Sequence, residues 1–473
     1  MSSTPTPTPT PTTRLGVPTR LVAAVLPGTM LNPLNSSMIA VALVDLQRYF
    51  AVGVAMSTWL ISAFYLSAAI GQPLMGRLVD LFGARRLYVS GLVLVFVVSV
   101  LAPFSPGFWW LVALRVLQGI GASVAYPSAL VLFRSAAPGD TPPAGALAAL
   151  GVAAASSAAL GPVIGGILVA VAGWQAIFLV NVPLTVVGVV LALTTLPRGG
   201  SDRTRRSPSE VLRDVDVPGI VLFSICITAL LTMLLSLARE PAWWLAPVTL
   251  AAAAGLVLRE RATPTPFLDV RELAANRPLT SLLAQQGGVN LVFYALFFGL
   301  PMWLEVVRGF SADQVGLLML PFTILSLLVT PLAARSINRH GTRAVLVAGS
   351  ALLVLGTAAV QLLGTTTPIV LLVMITVVLG IPNSLNSLGL QTGLYAASPP
   401  ERIGSSGGLF QTFRYLGAIM ASSLLGVTFD DGLSTDALHR VGLVIVVVAA
   451  CLLALAWSLP RTLSRRTPHD ARR

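Results

Sequence analysis

Two arginines lie far inside long apolar runs of the chain, where a charged group is expensive. Arg115 falls within the run at residues 108–133, and Arg414 falls within the run at residues 404–428. A charge near the centre of a bilayer costs roughly 3 kcal/mol on insertion scales, so such residues usually mark a substrate or ion pathway. Two structural alternatives stay open, which are snorkelling of Arg115 to a membrane surface and anchoring of Arg414 to backbone carbonyls.

Carboxylates, which proton chemistry in a membrane usually needs, are not found beside these arginines. None of the 18 Asp and Glu residues lies in the middle of an apolar run. Asp45 ends the first run and Glu305 ends the ninth. Such a group can be buried in one state and hydrated in another, which changes its pKa. We therefore predict Glu305 first and Asp45 second as proton-coupling groups. The alternatives are rim ion pairs with Arg308 or Arg48, and exchange of an anionic substrate at Arg115 with no resident acid.

Uncharged polar and aromatic residues occur at comparable depths in the two halves of the chain. Polar groups avoid lipid, so we expect them to face a bundle interior or a wet cleft. A mostly apolar cleft with a few polar groups suits large amphipathic ligands. Hydrogen bonding between helices is the alternative for each residue. The predicted cleft consists of Asn32, Asn35, Ser37, Tyr65, Arg115, Gln118, Tyr126, Gln286, Asn290, Phe293, Tyr294, Phe297, Asn383, Asn386, Gln391 and Arg414.

Enzyme chemistry finds little support in the residue types. The histidines are His340, His439 and His469, which lie in loops or the tail without metal-ligand spacing. The two cysteines fall mid-run in different segments, and all 30 basic residues are Arg, so a phosphate-binding loop that needs Lys is excluded. We expect no enzyme activity, no metal and no cofactor. The net charge of +12 reflects loops of a membrane protein rather than a nucleic-acid partner.

Composition predicts the elements that must position these residues. Of the 473 residues, 55% are hydrophobic and only 10% are charged, where soluble domains carry about 25% charged residues. Apolar runs long enough to span a bilayer recur along the chain. The sequence therefore predicts an all-α polytopic membrane protein with fourteen transmembrane helices. The weakest of these segments is the one at residues 243–258.

Arginine positions predict the orientation of these helices. With the N-terminus inside, 24 of the 30 Arg fall on one face, which we call the arginine-rich face, and four fall on the other. Cytoplasmic loops of membrane proteins are enriched in basic residues. We expect both termini in the cytoplasm and the chain in a bacterial cytoplasmic membrane.

An internal repeat predicts how the chain divides. Residues 72–86 and 330–344 match at an offset of 258, where Pro73, Arg77, Gly83 and Arg85 meet Pro331, Arg335, Gly341 and Arg343. Parallel repeats of this kind build some transporters. We predict a disordered tail at 1–20, a six-helix bundle at 21–196, linkers with two inserted helices at 197–278, a second six-helix bundle at 279–459 and a tail at 460–473. FLDVREL (267–273) in the second linker is either a helix along the membrane surface or a plain connector.

Six motifs in order resemble the major facilitator superfamily, specifically its fourteen-span drug:proton antiporter branch. They are GRLVDLFGARR (76–86), LRVLQGIGAS (114–123), GVAAASSAALGPVIGGIL (151–168), WQAIFLVNVP (174–183), PFLDVREL (266–273) and FRYLGA (413–418). The resemblance implies the major facilitator fold, with two six-helix bundles plus two extra central helices. It also implies that Arg115 is linked to proton transfer. Many members carry Asp in the first span where this chain has Asn35, which cannot titrate.

Two of these motifs imply moving parts. In the first, Gly76, Asp80, Gly83, Arg85 and Arg86 would form a conformational latch, in which Asp80 meets the start of a neighbouring helix or pairs with Arg85. In the third, small residues allow close helix packing and a proline removes one backbone hydrogen bond. The resemblance implies a hinge there, formed by Gly161, Pro162, Gly165 and Gly166.

The resemblance implies a secondary active exporter of amphipathic small molecules, driven by protons, in multidrug or antibiotic efflux. A dedicated exporter of one metabolite, antibiotic or lipid with neutral or anionic character is the alternative. A non-transporting sensor is a further class. The expected partners are the lipid bilayer, the substrate and protons, and we expect a monomer.

Overall fold

The computed structural model is helical in all long elements that it describes. It describes residues 16–52, 54–57, 59–137, 143–197, 216–236, 241–263, 266–310, 312–429 and 432–460, with no strand among them. Helices follow from the composition, because a helix satisfies its backbone hydrogen bonds internally where lipid offers no partner.

Fourteen long helical segments can be numbered α1 to α14 along the described part of the chain. The first eight are α1 (Thr19–Phe50), α2 (Trp59–Phe82), α3 (Ala84–Leu101), α4 (Phe108–Ala136), α5 (Ala144–Ala172), α6 (Ala176–Thr195), α7 (Val217–Ser236) and α8 (Leu245–Ala262). The last six are α9 (Arg277–Val306), α10 (Ala312–His340), α11 (Thr342–Ala359), α12 (Ile369–Ala397), α13 (Ile403–Phe429) and α14 (Thr435–Ser458). A short helix, Val270–Ala275, precedes α9, and we call it the linker helix.

Ten of the helical segments in the described residues are long and apolar enough to cross a membrane. The helices α1, α2, α5 and α8 are not among these ten. Each predicted span overlaps one of the fourteen helices, but the count of fourteen membrane crossings stays a prediction.

The two repeated loops adopt the same backbone conformation. Gly83 and Gly341 both take a positive φ, of 90° and 87°, directly before α3 and α11. This region is strained for residues with a side chain, so glycine is required there. Arg85 donates to the carbonyl of Leu193 at the end of α6, at 2.8 Å, and Arg343 donates to the carbonyl of Trp457 at the end of α14. The repeat thus extends from sequence to conformation and to the helix ends that the arginines contact.

The helices α2 and α13 pack closely near the arginine-rich face. A Cβ added at Gly76 would lie 2.3 Å from the carbonyl oxygen of Gly404, and one added at Gly408 would lie 2.1 Å from that of Gln72. Only glycine permits backbones to approach this closely. The hydroxyl of Thr412 also donates across this contact to the carbonyl of Ala69, at 2.8 Å.

The pair α7 and α8 lies against these same two helices. Phe223 of α7 shares an apolar cluster with Ala68 and Ala69 of α2 and Tyr415 of α13. The chain after α8 joins this cluster through Phe267, whose ring centroid is 5.5 Å from that of Phe223. The pair therefore covers the contact between α2 and α13. The domain boundaries at 196 and 279 stay predictions.

Candidate functional site

Arg115 lies fully inside the bundle, with 1% of its surface exposed. Its Nε donates to the carbonyl of Leu60 at 3.1 Å, and its guanidinium carbon lies 4.3 Å from the ring centroid of Phe64. Its other two nitrogens donate to Oε1 of Gln118 at 2.6 Å and to the carbonyl of Asn35 at 3.5 Å. Carbonyl acceptors and a cation–π contact replace the counter-ion here. Arg115 therefore does not snorkel, so that alternative is wrong.

Asn35 is the centre of this group, which we call the Asn35 network (Asn35, Arg115, Gln118 and Asn181). Its Oδ1 accepts from Gln118 and from Asn181, both at 2.9 Å. Its Nδ2 donates to Oδ1 of Asn181 at 2.9 Å and to the carbonyl of Leu31 at 2.7 Å. All four residues are buried. A fully satisfied polar network in a low-dielectric interior is rigid, so it fixes α1, α4 and α6 together.

Sequence reasoning missed Asn181 as a site residue. It lies in the motif WQAIFLVNVP, which resembles the major facilitator superfamily, and no role is predicted for its side-chain amide. A lone Asn in an apolar run was the available signal, since such a group must find a polar partner inside the bundle.

Acidic residues described by the structure lie at helix ends rather than beside the Asn35 network. Asp45 is half-buried near the end of α1, and Glu305 is exposed near the end of α9. Arg308, the predicted partner of Glu305, donates instead to the carbonyls of Gly364 and Thr367, at 2.8 and 2.9 Å. Their part in proton coupling stays a prediction.

Arg414 has a second set of neighbours, which we call the Arg414 cluster (Arg414, Tyr65, Tyr294, Tyr415 and Asn32). Arg414 is half-buried and donates to the hydroxyl of Tyr294 at 3.4 Å. Tyr65 and Tyr415 also lie close to its charge, and their ring centroids are 5.7 Å apart. Asn32 lies near Tyr415, and its buried Nδ2 makes no hydrogen bond among the described residues. The cluster joins α1, α2, α9 and α13, so it lies where the two predicted bundles meet.

The remaining predicted cleft residues are spread over several places. Tyr126 stacks on Phe410 of α13 with centroids 6.3 Å apart. Phe293 stacks on Phe297, and its ring centroid lies 5.0 Å from that of Tyr294. Phe297 is 37% exposed. Asn290 donates to the carbonyl of Gln286 within α9, and Ser37 donates to the carbonyls of Pro33 and Leu34 within α1.

Two predicted residues of α12 differ in what they face. Asn386 is buried and bridges Ser350 of α11 and the carbonyl of Pro382, so it joins helices within one predicted bundle. Asn383 donates to Ser326 of α10 at 3.0 Å and lines a small pocket of about 50 Å³ between α5, α10 and α12. Gln391 lines the same pocket. Asn383 is therefore better placed than Asn386 to contact a ligand.

Asp80 meets the start of α13 across 324 residues of sequence. Its carboxylate accepts from the N–H of Gly404 at 3.0 Å, from the N–H of Ser405 at 2.8 Å and from the hydroxyl of Ser405 at 2.6 Å. The first N–H groups of a helix have no partner within it and carry partial positive charge. Asp80 thus acts as a cap supplied by another helix. Of the two predicted contacts, it makes this one rather than a pair with Arg85.

Among the other predicted latch residues, Gly76 also contacts α13, and Gly83 and Arg85 have different neighbours. Gly76 allows the approach of α2 to α13, whereas Gly83 and Arg85 shape the turn into α3 and bind α6. Arg86 is exposed. A conformational role for this set stays a prediction.

The linker helix adds an ionic contact beside Asp80. Arg402, directly before α13, donates to Asp269 at 2.7 Å and lies 3.1 Å from a carboxylate oxygen of Glu272. Partial burial raises the pKa of Asp269, but the Glu272 N–H and the Arg402 guanidinium outweigh this, so the net pKa lies below its usual value. The contact is therefore present at neutral pH and is lost as the pH falls through that lowered pKa. FLDVREL is helical only from Val270.

The predicted hinge residues lie in α5, which is continuous from Ala144 to Ala172. A Cβ at Gly161 would lie 1.8 Å from Oγ of Ser37, and one at Gly165 would lie 3.2 Å from Cα of Met38. A Cβ at Gly166 would lie 3.8 Å from Val41. The small-residue face thus packs α5 against α1. The side chain of Pro162 lies outside the described residues, and bending at this place stays a prediction.

Comparisons with known proteins agree with the resemblance of the sequence motifs. The model of the Major Facilitator Superfamily matches residues 25–422. The uncharacterized transporter YwoD of Bacillus subtilis is 36% identical over 92% of this chain and 95% of its own length. The tetracenomycin C resistance and export protein of Streptomyces glaucescens is 29% identical over 90% of this chain and 79% of its own.

A solved structure shares the fold. The proton:xylose symporter XylE, bound to 6-bromo-6-deoxy-D-glucose, superposes with a TM-score of 0.67 at 13% identity, covering 94% of this chain and 96% of that one. Proteins of this family are multi-pass membrane transporters rather than enzymes. The family match and the 36% identity together show that this chain belongs to the Major Facilitator Superfamily.

Proposed function

We propose that the chain is a secondary active exporter of amphipathic small molecules, coupled to protons and working by alternating access. The observation that carries this proposal is the cap of Asp80 on α13. It joins the two predicted bundles near the arginine-rich face, through backbone N–H groups that donate to a carboxylate. Alternating access needs contacts that hold one end shut and can be exchanged for water.

Chemistry in the cleft supports amphipathic substrates. Aromatic rings of Tyr65, Tyr294 and Tyr415 give apolar area beside the polar group of Arg414. Asn383 gives a polar group in a separate pocket between α5, α10 and α12. Such surfaces bind ligands that are large, partly apolar and variable in shape. The similarity to a protein named for tetracenomycin C resistance and export supports export as the direction.

Proton coupling is proposed to use Glu305 or Asp45 together with Arg115. The amide of Asn35 cannot titrate, so the carboxylate must lie elsewhere. Replacing Glu305 with Gln, and separately Asp45 with Asn, should reduce the pH change that transport causes in proteoliposomes. Unaltered proton flux in both variants would remove these two residues from the mechanism.

A dedicated exporter of one metabolite, antibiotic or lipid is the second candidate. Two arginines inside the bundle favour such a substrate when it is neutral or anionic, because the acidic residues that the structure describes lie at helix ends. We further propose a monomer in a bacterial cytoplasmic membrane, with both termini in the cytoplasm.

Counterflow in proteoliposomes tests the proposed function. Vesicles containing the full-length protein are loaded with each unlabelled compound of a mixed panel, and entry of its labelled form is followed with and without a pH gradient. The exporter of many substrates predicts counterflow by several unrelated compounds, and the dedicated exporter predicts counterflow by one. Absence of counterflow by every compound of a broad panel would contradict both.

A further inference from the structure

We infer that Arg414 is an anion-binding group and that the molecules carried include aromatic compounds with a carboxylate or sulfonate. This inference rests on the proposed function, because it takes the cleft between the two predicted bundles as the transport site. It names a class of substrate that the proposed function leaves open.

The two arginines inside the bundle differ in how well their donors are satisfied. Arg115 makes two hydrogen bonds to protein oxygens, of 3.1 and 2.6 Å, and a longer one of 3.5 Å, and it has a ring beneath it. Arg414 has one hydrogen bond among the described residues, to the hydroxyl of Tyr294, and at 3.4 Å it is long. A guanidinium carries five N–H donors in a planar fork. Within the described part of the chain, most donors of Arg414 therefore lack a protein acceptor.

The two arginines also differ in exposure, and the one with fewer hydrogen bonds is the more exposed. Arg115 is 1% exposed, whereas Arg414 is half-buried. The helix that carries Arg414, Ile403–Phe429, contains no Asp or Glu. Asp269 and Glu272 bind Arg402 at the arginine-rich face instead. A cation in a low-dielectric site that lacks a protein counter-ion is stabilised by a bound anion.

The neighbours of Arg414 suit an aromatic anion. Tyr65, Tyr294 and Tyr415 place hydroxyl groups around its charge, and a hydroxyl can donate to an oxyanion. Tyr294 and Phe298 stack with centroids 5.6 Å apart, and Phe293 lies 5.0 Å from Tyr294. These rings offer flat apolar surface next to the guanidinium fork, which matches a carboxylate in a bidentate way.

Three probes with the same ring and different charge test the inference. They are 1-naphthoate, 1-naphthylmethanol and 1-naphthylmethylammonium, titrated calorimetrically into the full chain in nanodiscs, with empty nanodiscs as the blank. We expect the wild type to bind the naphthoate about tenfold more tightly than the ammonium compound. Arg414→Gln should remove this preference while changing naphthylmethanol affinity less than about threefold, and Arg414→Lys should keep part of it.

Controls keep the inference open to refutation. Tyr294→Phe removes the one described hydrogen bond of Arg414 and keeps its charge, so it should retain the naphthoate preference. The inference is overturned if the wild type binds no naphthoate or prefers the ammonium compound. It is also overturned if Arg414→Gln binds naphthoate as tightly as the wild type, or loses all three probes equally. If Arg414→Gln does not fold, two other results decide the test, which are the preference of the wild type for naphthoate over the ammonium compound and its partial retention in Arg414→Lys. Equilibrium binding needs no gradient, so failure of proton coupling would leave this result unchanged.

Discussion

Removing the carboxylate of Asp80 should open the arginine-rich face. In Asp80→Ala, the N–H groups of Gly404 and Ser405 lose the acceptor that holds α2 to the start of α13. Hydrogen bonds to a charged group contribute roughly 1.5–3 kcal/mol each, and a charge at a helix N-terminus adds about 0.3–1 kcal/mol. These contributions are not additive, and water replaces the carboxylate in the open state. Burial opposes them, since it raises the pKa of Asp80 to about 6. We take about 3 kcal/mol as the loss, which is about a hundredfold in the ratio of closed to open molecules.

Distances between spin labels at positions 86 and 401 measure this ratio. Arg86 and Glu401 are both exposed and lie on opposite sides of the contact. Cys226 and Cys451 are first replaced with Ser, so that only the labelled positions react. A wild type that is nearly all closed should give comparable closed and open populations in Asp80→Ala.

The repeat supplies a matched control. Asn338 lies 258 residues after Asp80 and is exposed, so Asn338→Ala should leave the distances unchanged. An unchanged distance distribution in Asp80→Ala would refute the reasoning, because the carboxylate would then not hold the two helices together.

Three further predictions concern α1 and its neighbours. Asn35→Asp keeps the acceptor for Gln118 and Asn181 but replaces the donor to Leu31 and Asn181 with an oxygen, so its melting temperature should fall. Its transport rate should gain a titration that the wild type lacks in a pH series. Asn181→Leu should lower the melting temperature, since it removes two of the four hydrogen bonds of the buried Asn35 amide, at a cost of about 1–3 kcal/mol. An unchanged melting temperature would contradict this. Gly161→Ala should destabilise the protein by about 1–3 kcal/mol through its clash with Ser37. Gly166→Ala, which has room, should not, and equal thermal stability of the two variants would count against tight packing here.

Local patterns in the sequence predicted much of the fold. The apolar runs predicted the positions of the helices, because the length and hydrophobicity of a run indicate a helix that can lie in a membrane or a bundle interior. The repeat predicted two equivalent turns, and the positive φ of Gly83 and Gly341 explains why glycine stands in both. The residue type of Asp80 predicted two possible contacts, with a helix start or with Arg85, and the structure shows the first.

Contacts between distant segments could not be read from these patterns. Nothing local indicates that Asp80 meets α13 rather than another helix, or that Asn181 pairs with Asn35 across 146 residues. Arg115 and Arg414 looked alike in sequence, since each is a lone charge in an apolar run. Only the structure separates the satisfied guanidinium from the under-satisfied one, because that difference depends on which carbonyls and hydroxyls the neighbouring helices bring near.

Accumulation of substrate in proteoliposomes under a pH gradient tests the central claim most directly. The lumen is made acidic, and a labelled, membrane-impermeant substrate identified by counterflow is added outside. Proton-coupled antiport predicts that protons leaving the lumen drive the substrate inward above its outside concentration, and that a protonophore abolishes this accumulation. Entry that stops at the outside concentration, with or without the gradient, would contradict the account.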